Sequence, residues 1–181
     1  MAFRAGVRPP LHSAFMRAGI ALGSNLGDRP ANLAAGREAV LSITGVCEPI
    51  LLSRVYETEP VGTEPDAAPI LNAVMEIEVT GEPGALLAGL RGIESSLGRP
   101  TRHPRNAPRT LDLDILYIGD LARVRDDLVI PHPRLHLRRF VLTPLNDIRP
   151  ELRLPGQTRC ISQLLGQLDD PAGVELFAAK W

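Results

Sequence analysis

Apolar residues in the first two-thirds of the 181-residue chain follow two spacings, one typical of strands and one of helices. An apolar run over residues 18–24 ends in Gly-Ser and predicts a first strand. A second strand is predicted over residues 50–58. Apolar and polar residues largely alternate over residues 70–79, and a further extended run covers residues 111–118. The pattern therefore predicts a third and a fourth strand in those two segments.

Two segments between these strands have the spacing of amphipathic helices. The first begins near Asp28 and Pro30, and its apolar side is formed by Leu33, Gly36, Val40 and Ile43. The second follows Pro83 and stops at Gly98, and its apolar side is formed by Leu86, Leu90, Ile93 and Leu97. The order strand, helix, strand, strand, helix, strand predicts an α+β, ferredoxin-like βαββαβ core. Its sheet is expected to be mainly antiparallel, with the helices on one face.

The last third of the chain is predicted to add further elements to this core. They are a helix over residues 140–148, a short helix over 161–168 and a strand over 174–177. Because no repeat or long linker divides the chain, we expect a single domain over residues 17–181. Residues 1–16 contain arginine but no acidic residue. We interpret them as a disordered extension or a mis-assigned start, with a transit peptide as the minor alternative.

Composition restricts the class of protein. With 44% hydrophobic and 23% charged residues, the chain can bury a globular core. A net charge of −1 provides no electrostatic basis for binding nucleic acid or an anionic membrane. No apolar run approaches the ~20 residues that span a bilayer, and the two cysteines, Cys47 and Cys160, lack metal-ligand spacing. We therefore expect a cytoplasmic protein that binds neither nucleic acid nor membranes.

Charge is distributed unevenly between residues 99 and 114. Five basic or histidine residues come first, namely Arg99, Arg102, His103, Arg105 and Arg109, and two carboxylates, Asp112 and Asp114, follow. In an extended strand both carboxylates face one side, opposite the side of Leu111, Leu113, Ile115 and Tyr117. Paired carboxylates suit Mg²⁺ and arginines suit polyphosphate. An Asp-x-Asp pair alone equally fits a solvated sheet face, but the neighbouring arginines favour a phosphoryl-transfer site.

Residues 106–115 (NAPRTLDLDI) resemble the signature of the 6-hydroxymethyl-7,8-dihydropterin pyrophosphokinases, folate-pathway enzymes with a ferredoxin-like fold. Other matching segments occur in the family's order, at residues 20–26, 56–62, 71–73, 98–99, 131–133 and 138–140. The resemblance runs from about Ala18 to Trp181. It implies Mg²⁺-dependent transfer of diphosphate from ATP to the hydroxymethyl group of the pterin, with release of AMP, in folate biosynthesis.

The resemblance also implies a role for each matching residue. Asp112 and Asp114 would bind two Mg²⁺ ions, and Arg99 and Arg109 would act with them in catalysis as phosphate clamps. The ATP site would comprise Leu87, Arg91, Glu94, Arg99, Arg109, Ile115, His132 and Arg138. The pterin site would comprise Thr58, Glu59, Val61, Asn72, Asn106, Asp112 and Phe140.

The residues alone leave simpler interpretations open for several of these positions. Phe140 could be an ordinary core residue, Asn72 a turn or edge residue, and Arg91 and Glu94 a solvated ion pair on a helix. Two other functions also remain possible for this fold and these residues, a two-metal nucleotidyltransferase and a ferredoxin-like RNA-binding module. A nucleotidyltransferase uses paired aspartates but releases pyrophosphate, and an RNA-binding module needs exposed sheet aromatics, which the 4% aromatic content disfavours.

Two of the departures from the family pattern lie within residues 99–110. Asn106 stands where a tryptophan commonly stacks on the pterin, and Thr101 stands where a second arginine is common, so Arg102 or Arg105 is the candidate replacement. The loops 59–69 and 99–110 are expected to close over the substrates. We also expect a monomer that could contact other folate-pathway enzymes.

Overall fold

The described part of the molecule sets which predictions the structure can address. In the computed structural model it comprises residues 15–59, 68–98, 108–125 and 127–181. Predictions for Val61, Arg99 and Asn106 lie outside these residues, as do those for residues 1–14 and for most of the two loops expected to close.

The strands of the described residues form one large sheet and one hairpin. They are β1 (Met16–Ser24), β2 (Val46–Leu52), β3 (Val55–Thr58), β4 (Ile70–Val79), β5 (Asp112–Ile118), β6 (Arg123–Arg125), β7 (Leu128–Ile130) and β8 (Val174–Ala178). The sheet has the order β5-β1-β4-β3-β8, β2 also pairs with β4, and every pairing is antiparallel. β6 and β7 form the separate hairpin. The predicted ferredoxin-like βαββαβ core is confirmed.

Two helices, α1 (Arg29–Leu41) and α2 (Pro83–Ser96), cover one face of the sheet, as predicted. Asp28 caps α1 by accepting a hydrogen bond from the Ala31 amide at 3.1 Å. Leu33, Val40 and Leu90 are buried against the sheet. α1 ends two residues before Ile43, whose side chain still packs on the same core. Periodicity therefore identified both helices and the face that each one buries.

The C-terminal additions cover part of the opposite face. α3 (Arg139–Ile148) and α4 (Ile161–Gln167) form a second core with the sheet, and a short 3-10 helix (Leu135–Leu137) joins it. This second core contains Val74, Leu116, Tyr117, Leu135, Val141, Leu142, Leu145, Leu154 and Ile161. None of the described helices is long and apolar enough to cross a membrane. The site discussed below lies on this second face, beside α3.

The predicted strand over residues 50–58 is in fact two strands separated at Ser53. Ser53 donates its amide to the Val74 carbonyl at 2.9 Å, and its hydroxyl accepts the Val74 amide at 2.8 Å. The chain is therefore pinned to β4 at the break, and β2 and β3 run along β4 as consecutive strands. The apolar pattern cannot show such a break because it is made by one serine.

The prediction that Tyr117 shares a face with Leu113 and Ile115 is wrong. β5 carries one extra residue, Leu116, because Ile115 pairs with Ile20 while Tyr117 pairs with Gly19, the preceding residue of β1. This β-bulge turns both Leu116 and Tyr117 towards α3, whereas Leu113 and Ile115 face α1 and α2. The predicted side for Asp112 and Asp114, which precede the bulge, is consistent with the structure.

Candidate active site

The candidate slot is the space over Gly23, at the end of the sheet where β1 finishes and β5 begins. Asp112 and Asn72 lie on either side of Gly23 in adjacent strands. A Cβ atom at Gly23 would lie 3.7 Å from Asn72 Oδ1 and 3.8 Å from Asp112 Cβ, so the glycine leaves the space between them open. Asn72 donates to Thr58 Oγ1 at 2.8 Å, and both side chains are buried. The slot thus has a polar wall at Asn72 and a carboxylate at Asp112.

Asp112 and Asp114 lie on the same face of β5. Their partners in β1 are Gly23 and Ala21. Because these two residues are small, they leave the space beside both carboxylates open on this face of the sheet. Arg109 Nη1 donates to Asp112 Oδ1 at 2.6 Å. The described residues contain no group of three or more histidine, cysteine or acidic side chains that could hold a metal ion. Any cation here would complete its shell with ligands from substrate and water.

The backbone around Arg109 is fixed to the end of β1. Asn25 accepts the Arg109 amide on Oδ1 at 2.6 Å and donates its own amide to the Arg109 carbonyl at 3.1 Å. Ser24 Oγ donates to the Thr110 carbonyl at 2.6 Å. Arg109 Nε is buried and has no hydrogen-bond partner among the described residues. One donor of this guanidinium group thus has no acceptor in the part of the chain that the structure describes.

His132 approaches the carboxylates from the hairpin that follows β5. Its amide donates to the Leu116 carbonyl at 2.8 Å, which ties it to the bulge. Its Nδ1 accepts the Arg134 amide at 3.2 Å, and its Nε2 lies 4.0 Å from Asp114 Oδ2. The nitrogen that faces Asp114 is therefore the one that carries the proton in the neutral ring.

Arg138 and Phe140 stand at the start of α3 on the same side of the sheet. The Arg138 guanidinium lies 5.4 Å from the centre of the Phe140 ring, within cation–π range. Between them, the Arg139 amide donates to Asp170 Oδ2 at 3.0 Å, and Arg139 Nη2 donates to the Leu168 carbonyl at 2.7 Å. The backbone from which Arg138 and Phe140 extend is therefore fixed.

Burial and mixed charge shift the pKa values of the site. Partial burial, and then repulsion by Asp112, raises the pKa of Asp114, although His132, Arg138 and Arg109 act in the opposite direction. Burial lowers the pKa of His132, and Asp114 partly offsets this effect. Burial also lowers the pKa of Arg138. The carboxylate pair is therefore not fully neutralised by the protein cations around it.

The predicted ATP-site residues of α2 lie on the other side of β5. Glu94 is buried, and its Oε1 accepts the Leu113 amide at 2.9 Å, which ties α2 to β5. Ile115 is buried in the core between the sheet and these helices, and Leu87 is partly buried against that core. These three side chains therefore do not share a face with Asp112 and Asp114. Since β5 is at the end of the strand order, both of its faces meet at one edge of the sheet.

Two predicted residues are exposed. Arg91 lies on α2 and donates to the Asp127 carbonyl at 3.4 Å, and Glu59 follows Thr58 at the end of β3. No role was predicted for Asn25, which fixes the backbone at Arg109. The only available signal was a polar pair directly after a strand. Its partner, Arg109, is 84 residues away, and local patterns cannot identify such a contact.

The fold and the site together define a class of protein, a ferredoxin-like α+β domain with a carboxylate pair and arginine beside a small polar slot. The family model described as 7,8-dihydro-6-hydroxymethylpterin-pyrophosphokinase (HPPK) matches residues 19–150. The chain belongs to this family. It is therefore a transferase of the pyrophosphokinase type that uses ATP, and it acts in folate biosynthesis. Both the resemblance and the expected class of enzyme are confirmed.

Two bacterial relatives illustrate the similarity. The chain is 43% identical over 134 residues to the 2-amino-4-hydroxy-6-hydroxymethyldihydropteridine pyrophosphokinase of Bacillus subtilis, covering 71% of this chain and 75% of that one. It is 40% identical over 161 residues to the enzyme of the same name from Methylorubrum extorquens, covering 88% and 97%. Because the chain belongs to the pyrophosphokinase family, the alternative of an RNA-binding module is discarded.

Solved structures with the same fold come from longer chains. The wild-type HPPK-DHPS protein of Plasmodium falciparum aligns with a TM-score of 0.67 and 14% identity, covering 85% of this chain and 44% of that one. At this identity the likeness concerns the fold alone. This chain thus spans less than half the length of that protein.

Proposed function

We propose that this chain catalyses Mg²⁺-dependent transfer of the diphosphate group of ATP to the hydroxymethyl group of 6-hydroxymethyl-7,8-dihydropterin, releasing AMP. The observation that carries the proposal is the position of Asp112 and Asp114 on one sheet face, with Arg109 bonded to Asp112 and the buried pair of Asn72 and Thr58 next to them. The three parts that the reaction needs, namely cation ligands, phosphate donors and a polar slot, adjoin one another.

The donor set fits Mg²⁺. Two carboxylates on one strand face are hard oxygen ligands. Burial, and then repulsion by Asp112, raises the pKa of Asp114, so a divalent cation would stabilise its ionised form. We propose that Asp112 and Asp114 together hold two ions. When bound, the ions would neutralise phosphate charge and lower the pKa of the attacking hydroxyl.

Asn72 and Phe140 support the pterin assignment. The Asn72 amide carries donors and acceptors that can match the edge of a pterin, and its Oδ1 borders the space above Gly23. Phe140, at the start of α3 beside Arg138, is proposed as an apolar wall of the slot. We propose that Thr58, Glu59, Val61, Asn106 and Asp112 complete the pterin site.

Arg109 supports the phosphate assignment because its Nε lacks an acceptor among the described residues. A phosphate oxygen would satisfy this donor while Nη1 stays bonded to Asp112. We propose that His132 and Arg138 contact the phosphates from the side of α3, and that Arg99 acts as a second clamp. Leu87, Arg91, Glu94 and Ile115 would bind the nucleotide where the two faces of β5 meet at the sheet edge.

The proposed reaction balances as a single displacement at phosphorus. The hydroxymethyl oxygen forms a bond to the β-phosphorus, and the bond from that phosphorus to the oxygen bridging the α-phosphorus breaks. AMP leaves with the bridging oxygen, and the hydroxyl proton is released. The chain's part is to hold the two substrates in line and to donate hydrogen bonds to the phosphate oxygens.

Nucleotide analysis after incubation with ATP, Mg²⁺ and the reduced hydroxymethyl pterin tests this proposal. We expect AMP to form in a ratio of one to one with the pyrophosphorylated pterin, and only when the pterin is present. Pyrophosphate as the released product would indicate nucleotidyl transfer, and ADP would indicate transfer of one phosphoryl group. Either product would refute the proposed reaction.

A further inference from the structure

A buried ionic cluster lies on the α3 face of the sheet, farther along β5 than the two carboxylates. Its centre is Glu76 of β4, which is 3% exposed. Tyr117 Oη donates to Glu76 Oε2 at 2.5 Å, and Arg149 donates to both carboxylate oxygens at 3.0 Å through Nε. Arg17 Nε lies 4.0 Å from Glu76 Oε1. The roles proposed above use none of these four residues.

Gly19 makes the contact between Tyr117 and Glu76 geometrically feasible. Gly19 of β1 pairs with Tyr117 on one side and with Glu76 on the other. Because Gly19 has no side chain, the tyrosine ring lies across it and reaches the carboxylate. A Cβ atom at Gly19 would lie 2.3 Å from Tyr117 Cε1, so any other residue would displace the ring.

The Tyr117 ring is buried in the second core and also borders an open cavity. Among the described residues, Glu76, Tyr117 and Arg149 line an open cavity of about 640 Å³. The ring could move towards this space if its hydroxyl were free. The bond to Glu76 therefore adds a directional restraint on the hydroxyl to the packing that covers the ring.

The ring is connected to the proposed ATP site through the bulge. Tyr117 directly follows Leu116, the extra residue of β5, and the Leu116 carbonyl accepts the His132 amide at 2.8 Å. His132 in turn places Nε2 4.0 Å from Asp114. If Tyr117 returned to the regular alternation of a strand, the Leu116 carbonyl would turn and His132 would lose its backbone anchor.

We propose that Tyr117, held by Glu76, is a positioning residue that maintains the β5 bulge and thereby keeps His132 opposite Asp114 for phosphate binding. This inference rests on the proposed function, since it assigns the purpose of the bulge to the nucleotide side of that site. Tyr117 touches no substrate. Its effect is transmitted through the Leu116 carbonyl and should be confined to His132 and to the nucleotide.

The test compares Tyr117→Phe with Tyr56→Phe. Both variants remove one phenol hydroxyl that donates to a carboxylate, since Tyr56 Oη bonds to the Asp147 oxygens at 3.0 and 2.9 Å. For Tyr117→Phe we expect faster hydrogen exchange of the His132 amide and a Kd for a non-hydrolysable ATP analogue with Mg²⁺ that rises about tenfold. We expect neither change for Tyr56→Phe, even if both variants lose similar thermal stability.

Gly19→Ala provides a second, steric perturbation of the same ring and should change both quantities further in the same direction. If Gly19→Ala fails to fold, Tyr117→Phe decides alone. A folded Tyr117→Phe protein with wild-type exchange at His132 and wild-type nucleotide affinity would overturn the proposal. An equal effect in Tyr56→Phe would also overturn it, because the cause would then be general destabilisation.

Neither measurement requires turnover, so the inference and the proposed function can fail separately. Absence of pterin-dependent AMP from the wild-type protein would refute the proposed function. The exchange rate of the His132 amide would still show whether Tyr117 holds the bulge.

Discussion

At the level of one residue, Asp114 illustrates a conflict between stability and the proposed function. Its pKa is raised in the folded protein, first by burial and then by Asp112. The folded state therefore binds this proton more tightly than the unfolded state, and the ionised carboxylate opposes folding at neutral pH. This destabilisation is present above the raised pKa and disappears as the pH falls towards the ordinary value for aspartate.

Asp114→Asn should accordingly raise the Tm of the metal-free protein at pH 7 by on the order of 1–2 °C, a small shift because solvent reaches the carboxylate. The gain should shrink as the pH falls through the raised pKa. The same change should lower turnover by several orders of magnitude if Asp114 binds the cation. Thermal melts at pH 7 and pH 4 and the AMP assay check both parts. The control Asp120→Asn, at an exposed turn, should change neither the Tm nor the turnover. Retained turnover in Asp114→Asn would refute the metal assignment.

Gly23 offers a selective test of the slot. A Cβ atom there meets Asn72 and Asp112 at ordinary contact distances of 3.7 and 3.8 Å, so Gly23→Ala should fold normally. The added methyl group would occupy the space between Asn72 and Asp112. We expect KM for the pterin to rise about tenfold while the Kd for the ATP analogue stays unchanged. An unchanged KM for the pterin would show that the substrate does not occupy this slot.

At the scale of elements, a buried carboxylate reinforces the apolar contact between α2 and β5. Glu94→Ala would leave the Leu113 amide without its acceptor and should reduce the free energy of unfolding by about 1–3 kcal/mol. Glu94→Gln keeps an acceptor for that amide and should retain most of this stability. Urea unfolding of both variants measures the difference. Equal destabilisation by Gln and Ala would show that the charge, rather than the bond to Leu113, is what matters.

Regular elements could be predicted from the sequence, but the irregularities that build the site could not. Alternation and helical spacing identified β1, β4, β5, α1 and α2 because each contributes a regularly spaced apolar series to the core beneath α1 and α2. At the bulge, Tyr117 contacts Gly19 and Glu76, which are far from it in the chain and close to it in the sheet. Local patterns carry no signal for such pairs. The side of Asp112 and Asp114 was predictable only because both precede the bulge.

At the scale of the whole molecule, the catalytic proposal depends on elements from both ends of the chain. β1 supplies Gly23 and is followed by Asn25. α3 supplies Phe140 and is preceded by Arg138, on the face that the C-terminal additions cover. The predicted short C-terminal helices and strand are present, but their position across the second face could not be predicted. Their apolar spacing indicates that they bury a side and does not indicate which surface they bury it against.

Trp181 connects β8 and the chain segment after it to the first half of the molecule. Its Nε1 donates to the Ser53 carbonyl at 2.9 Å, its ring lies 5.5 Å from the Arg37 guanidinium, and it packs against the core beneath α1. Trp181→Ala should therefore lower the free energy of unfolding by about 2 kcal/mol, less than for a fully buried tryptophan. Trp181→Phe keeps an aromatic ring and loses only the donor, so it should lower the free energy of unfolding by about 1 kcal/mol. Urea unfolding measures both values.

The AMP assay of these Trp181 variants, run well below the Tm, should show wild-type turnover, because Trp181 packs on the helix side of the sheet, opposite the proposed site. A fall in turnover as large as that for Asp114→Asn would mean that turnover also depends on how well β3 and β8 are held in place, and not only on the residues of the slot.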